Sequence, residues 1–297
     1  MLSVIAEDIG TTAFFTPRIT LPDSSEMTRI CSVYNIELLK PGGANSFARW
    51  RDRRRLKRSL QNADLILVDS DFTGGRFDSA FPGFTDKQVV LYPDLGPAWE
   101  EGERLARQQP APPLYREPYL LYVGSFDSHK NVELLVQAFH RYIEENPDSP
   151  LKLILASKNI FENRSVESAV RTHSDRIEIR HNLSDRRLRS LYENAIFFIT
   201  ASAYDSFGHP VVEAMACGCP VICPPGTALE EVSGGAAVPI VELSETGVLK
   251  AINAALAMPV GIRLELVQRG DEQMRMFLPG STADGFSALL DELTQSE

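Results

Sequence analysis

No apolar run in this sequence reaches the ~18 residues that a membrane-spanning helix needs, which argues against an integral membrane protein. A basic leader is missing too: Met1 to Gly10 carries no Lys or Arg and is interrupted by Glu7 and Asp8, so no signal peptide is expected. Positive charge is in deficit. Lys and Arg number 30 against 40 Asp and Glu, a formal −10, and a general nucleic-acid binder is not expected from such a balance. Cysteine is scarce, at 4 residues: Cys31, Cys217, Cys219 and Cys223. A metal site would prefer a two-residue gap and a companion His, and a secreted disulfide framework would space its cysteines more widely. Buried free thiols in a reducing cytoplasm are therefore expected. Clustered His and Asp ligands are lacking as well, so neither a metal nor another cofactor is expected. What remains is ordinary for a globular protein, with 43% hydrophobic and 24% charged residues, and 297 residues leave room for about two domains.

The most informative stretch runs from Ile199 to Pro225. An apolar run breaks at Asp205-Ser206-Phe207-Gly208-His209-Pro210 and then turns helical. Proline suits the first helical position, because its φ is pre-set and its missing N–H would have no partner there. Val211, Val212, Met215 and Ala216 give the helix an apolar face, Gly218 ends it, and Val221–Cys223 reads as a buried strand. Such a loop delivers a glycine-containing backbone onto a helix N-terminus, where free N–H groups and the helix dipole attract anions. Two carboxylates, Asp205 and Glu213, flank that position. The plainer alternative is a strand-loop-helix core with two surface acids.

Residues 1 to about 110 read as an irregular α/β domain. Buried strands are expected at 2–6, 13–15, 30–34, 65–68 and 89–92, and a helix at 46–62 capped by Ser46. That helix carries Arg49, Arg51, Arg53, Arg54, Arg55, Lys57 and Arg58, with Phe47, Trp50, Leu56 and Leu60 as its packing side. The basic run has two readings: a solvated helix face, or a patch for anionic lipid or a polyanionic acceptor that would bring the protein to the inner membrane face. Pro110, Pro112, Pro113 and Pro118 mark extended chain, and 111–118 reads as a linker.

Residues 119–297 read as a regular α/β domain with a C-terminal helical tail from about Phe277. Strands at 119–123, 151–156, 177–180, 196–200, 221–223 and 237–240 alternate with helices at 131–145, 166–172, 185–194, 210–217 and 246–257. A parallel sheet covered on both faces follows, with ligands at the carboxyl ends of its strands. After the first strand, Gly124 lets backbone approach a ligand and Ser125 offers a hydroxyl. Lys130 stands at a helix start, where the dipole disfavours a cation unless an anion neutralises both, although an exposed lysine there is also common.

At this length of agreement the chain resembles the retaining glycosyltransferases of the GT-B fold, family four. Their donor signature, Glu-Gly-Phe-Gly-x-Pro-x-x-Glu-Ala-x-Ala-x-Gly-x-Pro-Val, stands here as residues 205–221, with Asp205 for the first Glu and Ser206 for the first Gly. Gly124 to Asn131 resembles the Val-Gly-Thr-…-Arg-Lys-Asn-Leu motif, which implies that Lys130 contacts the donor diphosphate. His181 to Asp185 resembles the Gly-x-Val-Ser-Asp turn that lies along the nucleobase, implying Asn182 and Leu183 as donor contacts. Ala63 to Phe72 is similar to the segment that closes the family's N-terminal domain, and the last helix of the family returns to that domain.

The resemblance implies two Rossmann-like domains. The N-terminal one is expected to be incomplete, since no glycine-rich turn follows a first strand and Tyr34 stands where members often carry His. It further implies that Glu213 holds the ribose hydroxyls and that Asp205 orients the donor sugar. Ser206, Phe207, Gly208 and His209 would supply backbone N–H groups to the diphosphate. Two functions follow. One is transfer of a sugar from a nucleotide donor to a saccharide or lipid-linked acceptor, without a metal. The other is a non-catalytic nucleotide-sugar-binding or partner-binding relative. An incomplete parallel-sheet domain would expose apolar faces, so cover by a second copy, another subunit or the Phe277–Glu297 tail is expected.

Overall fold

The structure is a computed structural model that describes residues 13–16, 21, 27–34, 54, 56–96, 99, 114–158, 164–171 and 175–295. In chain order its elements are β1 (Ala13–Thr16), β2 (Thr28–Val33), helix α1 (56–62), β3 (Leu65–Val68), α2 (Asp71–Ala80), β4 (Gln88–Val90), β5 (Tyr119–Val123), α3 (Val132–Glu145), β6 (Lys152–Ser157), α4 (Arg164–Arg171), β7 (Ile177–His181), α5 (Asp185–Asn194), β8 (Phe197–Ile199), α6 (His209–Ala216), β9 (Val221–Cys223), α7 (Ala228–Ser233), β10 (Ala237–Pro239), α8 (Glu245–Leu256), α9 (Val260–Met274) and α10 (Ser281–Gln295). The chain divides into two compact units: residues 1–93 with 280–297, and residues 94–279. The boundary expected at the proline-marked stretch therefore falls earlier, after Pro93, and the tail expected in the second domain belongs to the first. The physical reason is that α10 finds its apolar partners there.

In the first unit four parallel strands lie in the order β1-β2-β3-β4. Side chains alternate across the sheet, so successive residues serve opposite faces. Cys31, Val33, Ile66 and Val68 pack with Leu56, Leu60, Phe77 and Phe81 from α1 and α2. Ile30, Leu65 and Leu67 are covered by Phe286, Leu289, Leu290 and Leu293 of α10. Phe286 also meets Phe15 edge to face at 5.2 Å, and Thr282 Oγ1 donates to the Tyr92 carbonyl at 2.8 Å. The tail, one of the three covers expected for this domain, therefore covers one face of its sheet. Leu56 and Leu60 are buried while Arg54, Lys57 and Arg58 are exposed, as either reading of the basic run requires. The expected strand at 2–6, the helix start at Ser46, most of its basic run and residues 111–113 of the linker lie outside the described residues.

The second unit is a six-stranded parallel sheet in the order β10-β9-β8-β5-β6-β7. The chain runs outward from β5 through β6 to β7, then returns to the other side of β5 and runs through β8 to β10. The order reverses between β5 and β8, and the crevice at the carboxyl ends of such strands is where open α/β sheets hold ligands. Val132, Leu135, Phe139 and Tyr142 of α3 are all buried against the sheet, as their helical spacing predicts. Helices α7 and α9 were not expected. Of α9 only Gly270 and Met274 are buried, so the stripe that normally reveals a helix is missing from it. Cys31, Cys219 and Cys223 are buried and free, whereas Cys217 is only half-buried. Burial pushes the Cys31, Cys219 and Cys223 thiols up to about 12. Among the described residues no single helix is long and apolar enough to cross a membrane.

Candidate functional site

The two loops at the reversal point, after β5 and after β8, carry most of the residues singled out from the sequence. Gly124 closes β5, its amide donating to the Ala156 carbonyl at 3.0 Å. A Cβ on Gly124 would stand 2.8 Å from the Tyr122 hydroxyl, which itself donates to the Ser125 carbonyl at 2.6 Å. Backbone therefore passes where no side chain would fit. Ser125 Oγ is held by Asp127 at 2.6 Å. The chain then turns through Asn131, in the left-handed region at φ 52°, whose side-chain amide donates to the Ala201 carbonyl at 2.9 Å. The Ala203 amide donates to the His129 carbonyl at 2.8 Å, and the His129 ring stacks on Tyr204 at 4.5 Å. These bonds tie the two loops together.

The tie brings Lys130 and Asp205, 75 residues apart in sequence, into an ion pair of 2.5 Å with both side chains about one-fifth exposed. Gly208 caps α6 at φ 102°, and a Cβ there would meet Leu229 Cδ2 at 2.5 Å. Helix α6 begins at His209, so Pro210 takes the second helical position rather than the first. Either place is tolerable, because none of the first four helical N–H groups has an intrahelical partner. The Val211 amide is taken by the Gly208 carbonyl at 2.9 Å. Phe207 is buried edge to face against Phe277 at 5.3 Å. The His209 imidazole is pushed below its ordinary value by burial, opposed by Asp205 and Asp94.

Beside these loops lies a cleft of about 440 Å³. Gly124, Ser125, Leu183, Pro210 and Glu213 line it, so four of the expected donor contacts share one cavity. Glu213 is rigidly held: the fully buried Tyr192 hydroxyl donates to its Oε2 at 2.9 Å. Burial raises the Glu213 carboxyl above its ordinary value, while the Tyr192 bond and the charge of Lys158 pull it down and Asp185 pushes it up. Trp99 meets Tyr192 edge to face at 5.7 Å, and its carbonyl accepts from Arg189 at 3.2 Å. Asn182, exposed and left-handed at φ 50°, lies just before Leu183 but does not line the cleft, and neither do Lys130, Asp205, Ser206, Phe207, Gly208 and His209.

Several lining residues escaped the sequence reading: Trp99, Ser157, Lys158 and Leu188. Lys158 directly follows β6, and the rule that ligands sit at strand carboxyl ends would have found it. Trp99 stands near the end of the stretch assigned to the first domain, where nothing in the sequence signals a site. Among the described residues no group of three or more His, Cys, Asp or Glu side chains is placed to hold a metal ion.

Comparison with known proteins gives the family and the fold. The sequence profile of the family described as "Glycosyl transferases group 1" matches residues 106–260, more than half of the chain. The O-antigen chain mannosyltransferase B of Escherichia coli is 32% identical over 192 residues, covering 62% of this chain and 49% of that protein. The mannosylfructose-phosphate synthase of Agrobacterium fabrum is 26% identical over 166 residues, covering 54% and 35%. The chain thus spans about half or less of the length of these curated relatives. Among solved structures, a sucrose-phosphate synthase from Thermosynechococcus elongatus superposes with a TM-score of 0.77 at 21% identity, covering all of this chain and 77% of that one. The fold is the GT-B α/β fold, and the chain belongs to the group 1 glycosyltransferases.

Proposed function

We propose that this group 1 glycosyltransferase transfers a sugar, with retention of configuration, from a nucleoside-diphosphate sugar to a saccharide or lipid-linked acceptor. The second unit is the donor-binding half and the first is the acceptor-side half. The observation that carries the reading is Glu213, a carboxylate fixed by a buried tyrosine on the wall of a cleft at the reversal point of a parallel sheet. A carboxylate so placed can accept from two vicinal ribose hydroxyls. The family and the named transferase and synthase relatives favour transfer over a binding-only role.

In the reaction the bond between the anomeric carbon and the diphosphate oxygen breaks, and the diphosphate leaves with the electron pair. Lys130 and the turn before α6 stabilise that charge, since preorganised donors are worth most where charge develops. Asp205 favours the positive charge on the anomeric carbon. An acceptor hydroxyl oxygen bonds from the vacated face, and its proton passes to the departing diphosphate. The printed name of the Escherichia coli relative points to mannose as the sugar and a polysaccharide as the acceptor. Exposed Arg54, Lys57 and Arg58 support contact with an acidic acceptor or membrane surface.

The test is incubation of the full chain with a panel of nucleoside-diphosphate sugars and acceptors, following nucleoside diphosphate release and the anomeric configuration of the product by NMR. Release from one donor with a retained anomer is expected. An inverted product, or no turnover of any donor with any acceptor, overturns the reading.

A further inference from the structure

The donor cleft extends past Glu213 toward one edge of the sheet, and what lines that end bears on which base it accepts. The loops around Lys130 and Asp205 follow β5 and β8, at the reversal point. Strands β6 and β7 lie on the far side of β5, in that order. Lys158 follows β6 and Asp185 follows β7, and both line the cleft that Glu213 lines. With the diphosphate placed at the reversal point and the ribose on Glu213, the base would fall toward the side of the cleft that Lys158 and Asp185 line. Leu183 and Leu188, from the turn after β7 and from α5, offer apolar surface to the plane of the base.

Both charged groups are close enough to Glu213 to act on its titration, in opposite senses. The bland role of Asp185 is to open α5, where the helix dipole favours a carboxylate; the cleft gives it a second one. Among the described residues Lys158 makes no ion pair or side-chain hydrogen bond.

Resting on the transferase reading above, we propose that the cleft selects a guanine nucleotide, with Lys158 donating to the base O6 and Asp185 accepting from its N1–H and N2 amino group. A cation beside a carboxylate matches that edge, which presents one acceptor followed by two donors. Adenine presents a donor at C6 and an acceptor at N1, the reverse order, and would set its amino group against the ammonium. Uracil offers an acceptor and one donor, but its O2 then faces the Asp185 carboxylate with no proton between them. Lysine at O6 is a recurrent reader of guanine, and a carboxylate needs a base donor to accept from.

Calorimetric titration of the full chain with GDP, UDP, ADP and inosine diphosphate tests this. GDP is expected to bind about tenfold or more tighter than UDP and ADP. Inosine diphosphate, which lacks only the N2 amino group, should fall measurably below GDP. Asp185→Asn should shrink the difference between GDP and inosine diphosphate, whereas Lys158→Met should weaken both together, because both carry O6. The comparison of GDP with inosine diphosphate on the unsubstituted chain stands even if a variant fails to fold. Equal affinity for GDP and UDP, or a preference for ADP, overturns the base assignment and leaves the sugar-transfer reading intact. No binding of any nucleoside diphosphate overturns both.

Discussion

Replacing Asp205 by Asn should tighten the binding of a nucleoside diphosphate while slowing transfer. From the sequence alone Asp205 concerns only the donor sugar, and its loss would leave nucleoside diphosphate affinity nearly unchanged. The ion pair changes that expectation. Lys130 Nζ lies 2.5 Å from Asp205 Oδ1, with the side chains 19% and 20% exposed, so the ammonium is already partly neutralised before a ligand arrives. A lysine has three donors and can serve a phosphate and a carboxylate together, but the two anions then stand about 5 Å apart. At an effective dielectric of about 20 their repulsion is roughly 3 kcal/mol per pair of unit charges. Solvent at one-fifth exposure screens part of it, leaving about 1–2 kcal/mol, roughly five- to thirtyfold in affinity. Asn keeps an oxygen that can accept from Lys130, so the loop should hold its shape. Calorimetry on the unsubstituted chain, Asp205→Asn, Lys130→Ala and the double variant measures the coupling directly. Lys130→Ala should weaken binding, and since the repulsion acts directly between Asp205 and the phosphate, Asp205→Asn should gain at least as much in its absence. Unchanged or weaker affinity in Asp205→Asn would refute the reasoning and make the pair a joint contributor to phosphate binding.

Three further outcomes follow from the same site. The Glu213 carboxyl is raised by burial, so folding loses stability as pH climbs from the ordinary carboxylate range through the raised value. Glu213→Gln should therefore raise the melting temperature of the unliganded protein at neutral pH while removing the nucleoside's share of nucleotide affinity, and its stability advantage should vanish at acid pH. Tyr192→Phe removes the hydrogen bond that lowers this carboxyl, so the pH below which nucleotide affinity falls should move upward; a titration of affinity against pH checks it. Gly208→Ala, at φ 102° and with its new Cβ 2.5 Å from Leu229, should cost about 1–3 kcal/mol in a urea melt, and Leu229→Ala should restore only the steric part.

The regular second unit was legible because its strands are continuous apolar runs and its helices amphipathic: β5, β9 and α5 begin and end where the pattern places them. Helix α9 was not legible, since an exposed helix writes no stripe into its sequence. Motif residues gave the positions of Lys130, Asp205 and Glu213 but not their partners. The bond between Lys130 and Asp205 spans 75 residues and that between Tyr192 and Glu213 spans 21, distances that only the fold closes. Lys158 belongs to no motif and came to notice only through the order of the strands. The covering of the first sheet by α10 was open in the sequence, because an apolar helix face does not say which apolar sheet face it meets.

The central claim is that the cleft beside Glu213 holds a nucleoside diphosphate by its ribose and its phosphates. Calorimetric titration of the full chain with a nucleoside diphosphate, the matching nucleoside and inorganic diphosphate, each with and without Glu213→Gln, tests it most directly. The account predicts saturable binding of the nucleoside diphosphate, weaker binding of either half, and loss of the nucleoside's contribution in Glu213→Gln with inorganic diphosphate unaffected. Equal binding by the unsubstituted chain and Glu213→Gln, or no binding of any nucleoside diphosphate, would contradict it.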